Sequence, residues 1–401
     1  MLRILLITNR IPFPPHDGGS LAIQAMMDVQ EQIPGSVRLF APNASRNHIP
    51  VHTLPERFTQ RYRIRTFDLN TALVPSAMAA NWLCSNEPYH SIRFMHATVG
   101  RELRQLLSEE SYDIIQFEGP FLGGWLPLIR EHSDASIVFR AHNIEYEIWS
   151  ELATRTKNPL KKAYLMSQSG RLAAFELRLA QSVDGILAIS RATAQYFEPR
   201  TTKPIEVLGS VALARPKADP IPRERLKHLS FLGSLDWQPN IEAVDYLLES
   251  WWPVLRQKYP DMQLHIAGKN FPEALMRKKI GGVLMHGEVP DATTFLLAHP
   301  VVVVPLLSGS GIRIKILEAL ALGLPVISTA KGVQGLDVLA DVHYLRAENA
   351  EECAHQCRRL REHPQLAQQL GEEGQHFIST HYGAQDLTHK LSNFYRHLRS
   401  L

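Results

Sequence analysis

Short apolar runs alternate with amphipathic stretches along most of this chain, and the alternation breaks once, near residues 199–222, before it resumes. In the first half the apolar runs are 3–8, 37–41, 113–117, 137–141 and 185–189, with helical patterns at 20–32, 91–107 and 160–181. In the second half the runs 228–233, 263–267, 283–286, 301–306 and 325–329 follow the same plan, with a helical pattern at 240–259. Strand-length runs separated by helices are the pattern of a parallel, doubly wound sheet. The break reads PRTTKP and ARPKADPIPRER, rich in proline and charge as a linker is. The expectation is an α/β chain of two Rossmann-like domains, 1–200 and 223–383, joined by a linker at 201–222. An amphipathic helix at 384–401 is expected to return to the first domain. At 401 residues the chain exceeds one ordinary core. Two such domains are expected to face each other across a cleft. Ligands of these sheets bind beyond the carboxyl ends of the strands.

Composition narrows the function classes. A net charge of +3 is too small to argue for nucleic acid. Two short basic tracts, RYRIR at 61–65 and MRKKI around Arg277–Lys279, read first as solvated faces. The alternating arginines also suit a charge-protected strand edge, or contact with anionic lipid head groups. Three cysteines, Cys84, Cys353 and Cys357, make no disulfide framework and point to a reducing compartment. No apolar run reaches the length of a membrane span. MLRILLIT, followed by IPFPP, reads as a first strand and turn rather than a signal peptide. The expected location is cytoplasmic, or peripheral at the inner face of a membrane.

The chemistry concentrates in SGSGIRIKILEALALGLPVIST, 308–329. A buried strand leads into a glycine-rich loop, and a helix begins near Ile312 and stops at Gly323 and Pro325. Backbone N–H groups at such a junction cradle phosphate. There is no Walker spacing, no third glycine of a dinucleotide fingerprint, and no acidic residue ending the next strand to hold a ribose. Yet Arg313, Lys315 and Glu318 lie in a helix that is apolar nearly all round. An unpaired buried charge costs roughly several kcal/mol, so a charged ligand is expected to dock there. Lys315 and Glu318, three apart, share a face.

LEALALGLPVIST resembles the donor-binding signature of the retaining GT-B glycosyltransferases, glycosyltransferase family 4. Pro14, Pro15, Gly18 and Gly19 resemble that family's proline- and glycine-rich loop after the first strand. RAHNIEY puts His142 where the family has its active-site histidine, and FLGSLDWQPN resembles the opening of its C-terminal domain. The resemblance spans the chain. It implies transfer of a sugar, with retention, from a nucleotide-diphosphate sugar to a glycan or lipid-linked acceptor in cell-surface polysaccharide synthesis. It implies no cofactor and no metal. Glu318 would hold the donor ribose. Gly18 and Gly19 would approach the donor with bare backbone, and Gly309, Ser310, Gly311 and Ile312 would cradle its diphosphate. Gly287 and Val289 would line the nucleobase pocket. His142 would hydrogen-bond the transferred sugar.

Two departures stand out. The family commonly has a Glu eight residues before the ribose-binding one, where this chain has Ser310. It commonly has an Arg and a Lys at the mouth of the first C-terminal strand, where this chain has Ser234 and Pro239. Arg313 and Lys315 are expected to replace those two cations from the other side. Other readings stay open at this point. One is a degenerate homologue that binds without turnover. Another is a nucleotide-sugar epimerase, for which Glu118 and Glu145 are the strand-end acids.

Overall fold

The computed structural model describes residues 1–15, 18–45, 48–209, 221–309 and 313–400. The chain divides into two compact units, Met1–Val211 with Leu387–Leu401, and Ala212–Asp386.

The first unit is built on a six-stranded sheet. Its strands are β1 (Leu2–Ile7), β2 (Gly35–Phe40), β5 (Ile114–Glu118), β6 (Ser136–Ala141), β7 (Gly185–Ala188) and β8 (Ile205–Val207). They run parallel in the order β2-β1-β5-β6-β7-β8. A separate two-stranded pair, β3 (Asn43–Ala44) and β4 (Asp68–Leu69), lies within the same unit. Strands buried on both faces must be apolar throughout, as β7 is. Residues 205–207 fall inside the stretch read as linker. Three residues between TKP and LGS carry no readable period, yet Ile205 pairs with Ile186 and makes the sixth strand. The tract 61–65 covers the outer edge of β2: Arg65 donates its N–H to Leu39 (2.8 Å) and its carbonyl accepts from Ala41 (3.0 Å). All three of its arginines meet carboxylates, Arg61 on Glu31, Arg63 on Glu110 (3.1 Å) and Arg65 on Glu102 (2.9 Å).

The helix Ala384–Ser400 belongs to this unit for most of its length. Its apolar stripe, Leu387, Leu391, Phe394 and Leu398, packs with Leu2, Ile4, Val138 and Leu187 of the sheet. Buried among them, Tyr395 Oη accepts from Gln30 Nε2 (2.8 Å) and donates to Gln116 Oε1 (2.5 Å).

The second unit repeats the plan. Its strands are β9 (His228–Leu232), β10 (Gln263–Ala267), β11 (Val283–Gly287), β12 (Val301–Val304), β13 (Val326–Ser328) and β14 (Leu345–Arg346). All are parallel, in the order β11-β10-β9-β12-β13-β14. The helical pattern at 240–259 resolves into Gln238–Tyr246 and Trp252–Lys258 around a wide turn at Leu247–Trp251. Pro253 has no N–H to give the preceding turn, which accounts for the local loosening. The pattern at 91–107 likewise splits into Tyr89–Ile92 and Ala97–Glu109, because the His96 ring accepts the Thr98 N–H and starts a new helix. Cys353 and Cys357 are free and buried on the helix Ala350–Glu362, within the second core. No helix among the described residues is long and apolar enough to cross a membrane.

Replacing Tyr395 by Phe strands two buried amide groups, each with a desolvation cost of about 1–3 kcal/mol. The Tyr395→Phe variant should therefore unfold about 2–6 kcal/mol more easily in urea, with an unchanged m-value. A midpoint equal to that of the parent would show that the tail helix is held by its apolar stripe alone.

Candidate functional site

Each sheet reverses its strand order once, between β1 and β5 in the first unit and between β9 and β12 in the second. Loops leaving two such neighbours diverge and open a crevice at the carboxyl ends. The titratable residues singled out from sequence lie at these two places.

In the first unit Glu118 ends β5 and His142 follows β6. Glu118 and Arg140 have fully buried side chains, and Arg140 Nη1 donates to Glu118 Oε2 (3.0 Å) and to the Ala22 carbonyl (3.0 Å). The second contact ties the helix Gly18–Glu31 to the sheet. Gly18 and Gly19 open that helix, Gly18 exposed and Gly19 half-buried. His142 Nε2 lies 2.5 Å from Glu118 Oε2, and Gln116 Nε2 donates to Glu118 Oε1 (2.6 Å). Burial alone would raise the Glu118 pKa, but Arg140, His142 and Gln116 together hold it below the ordinary carboxylate value. Burial, with the charges of Arg140 and Arg10, keeps His142 low despite the carboxylate beside it. A carboxylate facing a neutral imidazole assigns the proton to Nε2, so His142 Nδ1 is left as an acceptor.

Glu145 begins the helix Glu145–Arg155, and burial raises its pKa. The Glu176 carboxylate receives the N–H groups of Glu145 (3.0 Å) and Tyr146 (3.1 Å) and so caps this helix from a second one, Pro159–Ser182. Burial, then the nearby Glu145, pushes Glu176 up to about 8. No local pattern joins residue 145 to residue 176, so sequence reasoning missed the cap.

In the second unit β9 ends at Leu232 and β12 runs into Ser308 and Gly309. Gly309 has φ +94°, open to glycine and strained for any side chain, and a Cβ there would press on Trp237 and Pro239. Ser310, Gly311 and Ile312 lie outside the described residues. Ser308 Oγ donates to Glu242 (2.7 Å). Arg313 is 3% exposed; its Nη2 donates to the Gly309 carbonyl (2.7 Å) and its guanidinium lies 5.6 Å from the Trp237 ring centre. Lys315 extends from the helix Ile314–Ala321 toward the mouth of β9. Its Nζ donates to Asn240 Oδ1 (2.8 Å) and stands 4.2 Å from the centre of the Phe231 ring. Asn240, itself buried, donates Nδ2 to the Ser234 carbonyl (2.8 Å). A Cβ on Gly233 would come within 2.6 Å of the Lys315 ammonium. Desolvation, with help from the Arg313 charge, lowers Lys315 to about 7, while Glu318 opposes the fall. Glu318 is half-buried one turn further along. Gly287 ends β11, two strands from β9, and Val289 packs half-buried on the second core. Asn240, Trp237 and Phe231 were missed in the sequence, because their roles depend on how the β9 and β12 loops meet.

Replacing Glu118 by Gln leaves the Arg140 guanidinium buried without a counter-charge, a loss of about 3–5 kcal/mol for a broken buried pair. The Glu118→Gln variant should lose stability on this scale in a denaturant titration at pH 7. A loss below 1 kcal/mol would show that the Arg140 charge is compensated elsewhere.

A search of the curated proteins returned no match. Residues 227–363 match the family model described as Glycosyl transferases group 1. Several solved structures share the fold. Sucrose-phosphate synthase from Thermosynechococcus elongatus superposes with TM-score 0.72 at 17% identity, over 100% of both chains. HepE from Anabaena, solved with UDP and glucose, gives 0.64 at 14%, over 99% of this chain and 100% of that one. WaaG, a glycosyltransferase involved in lipopolysaccharide biosynthesis, gives 0.63 at 16%, over 98% and 99%. The chain thus has the GT-B fold, and its segment 227–363 carries the pattern of Glycosyl transferases group 1.

Proposed function

We propose that the protein is a retaining glycosyltransferase that takes a sugar from a nucleoside diphosphate sugar and seats the diphosphate at the β9/β12 crevice. The observation that carries this reading is the Lys315 ammonium, held beside Gly233 and Ser234 by a neutral partner, Asn240. Ser234 and Pro239 stand where the resemblance expects cations, and Lys315 reaches the same strand mouth from the opposite helix. Among the described residues no carboxylate bonds its Nζ, so its charge is available to an anion. Arg313 braces the Gly309 carbonyl and adds a second positive charge. Glu318 is assigned to the ribose hydroxyls.

When the glycosidic bond breaks, negative charge develops on the departing diphosphate. Preorganised cations and N–H groups at that point lower the barrier, and removing one such donor typically costs about 10²–10³ in kcat. The reading requires no metal at the diphosphate. His142 Nδ1, an acceptor by the argument above, suits a hydroxyl of the transferred sugar. HepE with UDP and glucose supports a UDP-sugar donor. WaaG's role in lipopolysaccharide biosynthesis supports a glycan or lipid-linked acceptor in cell-surface polysaccharide synthesis, at a membrane face.

Two measurements test the reading. A thermal-shift panel of nucleoside diphosphates and their sugars should raise the melting temperature with at least one member. With that donor, Lys315→Ala should cut turnover about 10²-fold and Arg313→Ala by a similar factor. Undiminished turnover with either change would remove that residue from the diphosphate site.

Affinity should also depend on pH with a definite sign. Lys315 titrates near 7 in the free protein, and a bound anion at Nζ raises that value. Above pH 7 binding must then take up a proton. Affinity for UDP should fall as pH rises from 7 to 9, by up to about tenfold per unit. Calorimetry in buffers of different ionisation enthalpy would detect the uptake. A flat profile, or the same slope in Lys315→Ala, would place the ammonium away from the anion.

A further inference from the structure

Four histidines of the second unit share one place that the reading above does not use. His228 starts β9, His265 lies within β10, His286 sits near the end of β11, and His299 ends the helix Ala292–Ala298, two residues before β12. His265 is 3% exposed; His228 and His299 are half-buried and His286 is exposed. His228 Nδ1 lies 3.2 Å from His265 Nε2, and His265 Nδ1 lies 3.0 Å from His286 Nε2. The His299 ring stacks on His265 with centres 3.5 Å apart, and His299 Nδ1 is buried without a hydrogen-bond partner. Ring nitrogens of His228, His265 and His299 all lie within 4.8 Å of one another.

From this geometry we propose a three-histidine site for a divalent transition ion, with His228 Nδ1, His265 Nε2 and a His299 ring nitrogen as ligands.

Two nitrogens bound to one tetrahedral Zn²⁺ at about 2.0–2.1 Å stand roughly 3.3–3.4 Å apart. The 3.2 Å between His228 and His265 is close to that spacing. Stacked rings do not aim their lone pairs at one point, so the His299 ring turns about its χ2 as it binds. His286 fixes the tautomer. As acceptor for a His265 Nδ1–H, it leaves His265 Nε2 with a free lone pair, which is how outer groups orient ligating histidines. Metal binding needs neutral imidazoles.

The donor set selects the ion. Three imidazoles and no carboxylate suit Zn²⁺, Ni²⁺ or Cu²⁺ and not Mg²⁺ or Ca²⁺, which require oxygen. Arg225 and Lys227 bring positive charge toward His228 and oppose a bound cation, which makes the site one of moderate affinity completed by water or an anion. Bound metal would staple β9 and β10 to the turn before β12. The role is structural and stands apart from the β9/β12 crevice, so it does not depend on the proposed transfer reaction.

The test uses the full chain, stripped with a chelator and titrated with Co²⁺ and with Zn²⁺. One equivalent of Co²⁺ should give visible d–d absorption of tetrahedral nitrogen coordination, and Zn²⁺ should displace it and raise the melting temperature. His228→Gln and His299→Gln, at half-buried positions chosen so that the fold survives, should each abolish both signals. His286→Ala should weaken binding by about 10–100-fold while leaving the absorption band in place. The chain has 18 histidines, so a surface variant, His389→Gln, serves as control and should bind like the parent. No cobalt band at one equivalent would overturn the site. So would a band or a melting shift that persists in His299→Gln, since the metal would then sit elsewhere. In either case the cluster is only a hydrogen-bonded row of His228, His265 and His286 with His299 stacked on it.

Discussion

Parallel strands can be joined only by crossovers, and those crossovers keep one hand. A sheet that grows outward from a central strand in both directions must therefore reverse its order once. Each unit of this protein does so, beside β1 in one and beside β9 in the other. Everything chemically unusual at a strand end follows from that constraint. Glu118 and His142 stand beside the first reversal, and Arg313 and Lys315 beside the second. Residues far apart in sequence meet there because the loops on two neighbouring strands leave in opposite directions.

The two units treat buried charge in different ways. In the first, Arg140 and Glu118 neutralise each other fully inside the core, and the pair is further tied to Gln116, Tyr395 and the Ala22 carbonyl. Such a network fixes geometry and has no charge to spare. In the second, the partner of Lys315 is an amide. An aspartate at position 240 would return the ammonium to a high pKa and spend its field on an ion pair. Asn240 orients Nζ without neutralising it, which on the proposed function leaves its field to the diphosphate, while the Phe231 face lessens the desolvation penalty.

Most of the framework could be read from the chain itself. The ten strands expected from apolar runs all fall within a residue or two of them, most clearly where, as in β5, β7 and β12, the strand is buried on both faces and has no polar side to blur the pattern. The edge strands β8 and β14 were not legible, since two or three residues with a Glu or Arg among them carry neither a period nor an apolar run. Charges at 313, 315 and 318 were conspicuous against an apolar helix, so the crevice announced itself. Their partners did not. Asn240 lies 75 residues from Lys315 and Glu176 lies 31 from the backbone it caps, and only the folded topology brings them together. The histidines were overlooked for the same reason: 228, 265, 286 and 299 follow no ligand spacing, and only strand register aligns them.

Gly233 links these observations. A side chain there would occupy the volume in which the Lys315 ammonium stands. A cation carried by the β9 mouth and one brought from the helix after β12 thus compete for the same space. A chain with Arg at 234 would crowd and repel a lysine at 315; this chain has Ser234, whose hydroxyl turns to Asp236 and leaves the place open. On the proposed function, the positive charge that Ser234 does not carry is supplied by Lys315 from the facing helix, across the short distance between β9 and β12.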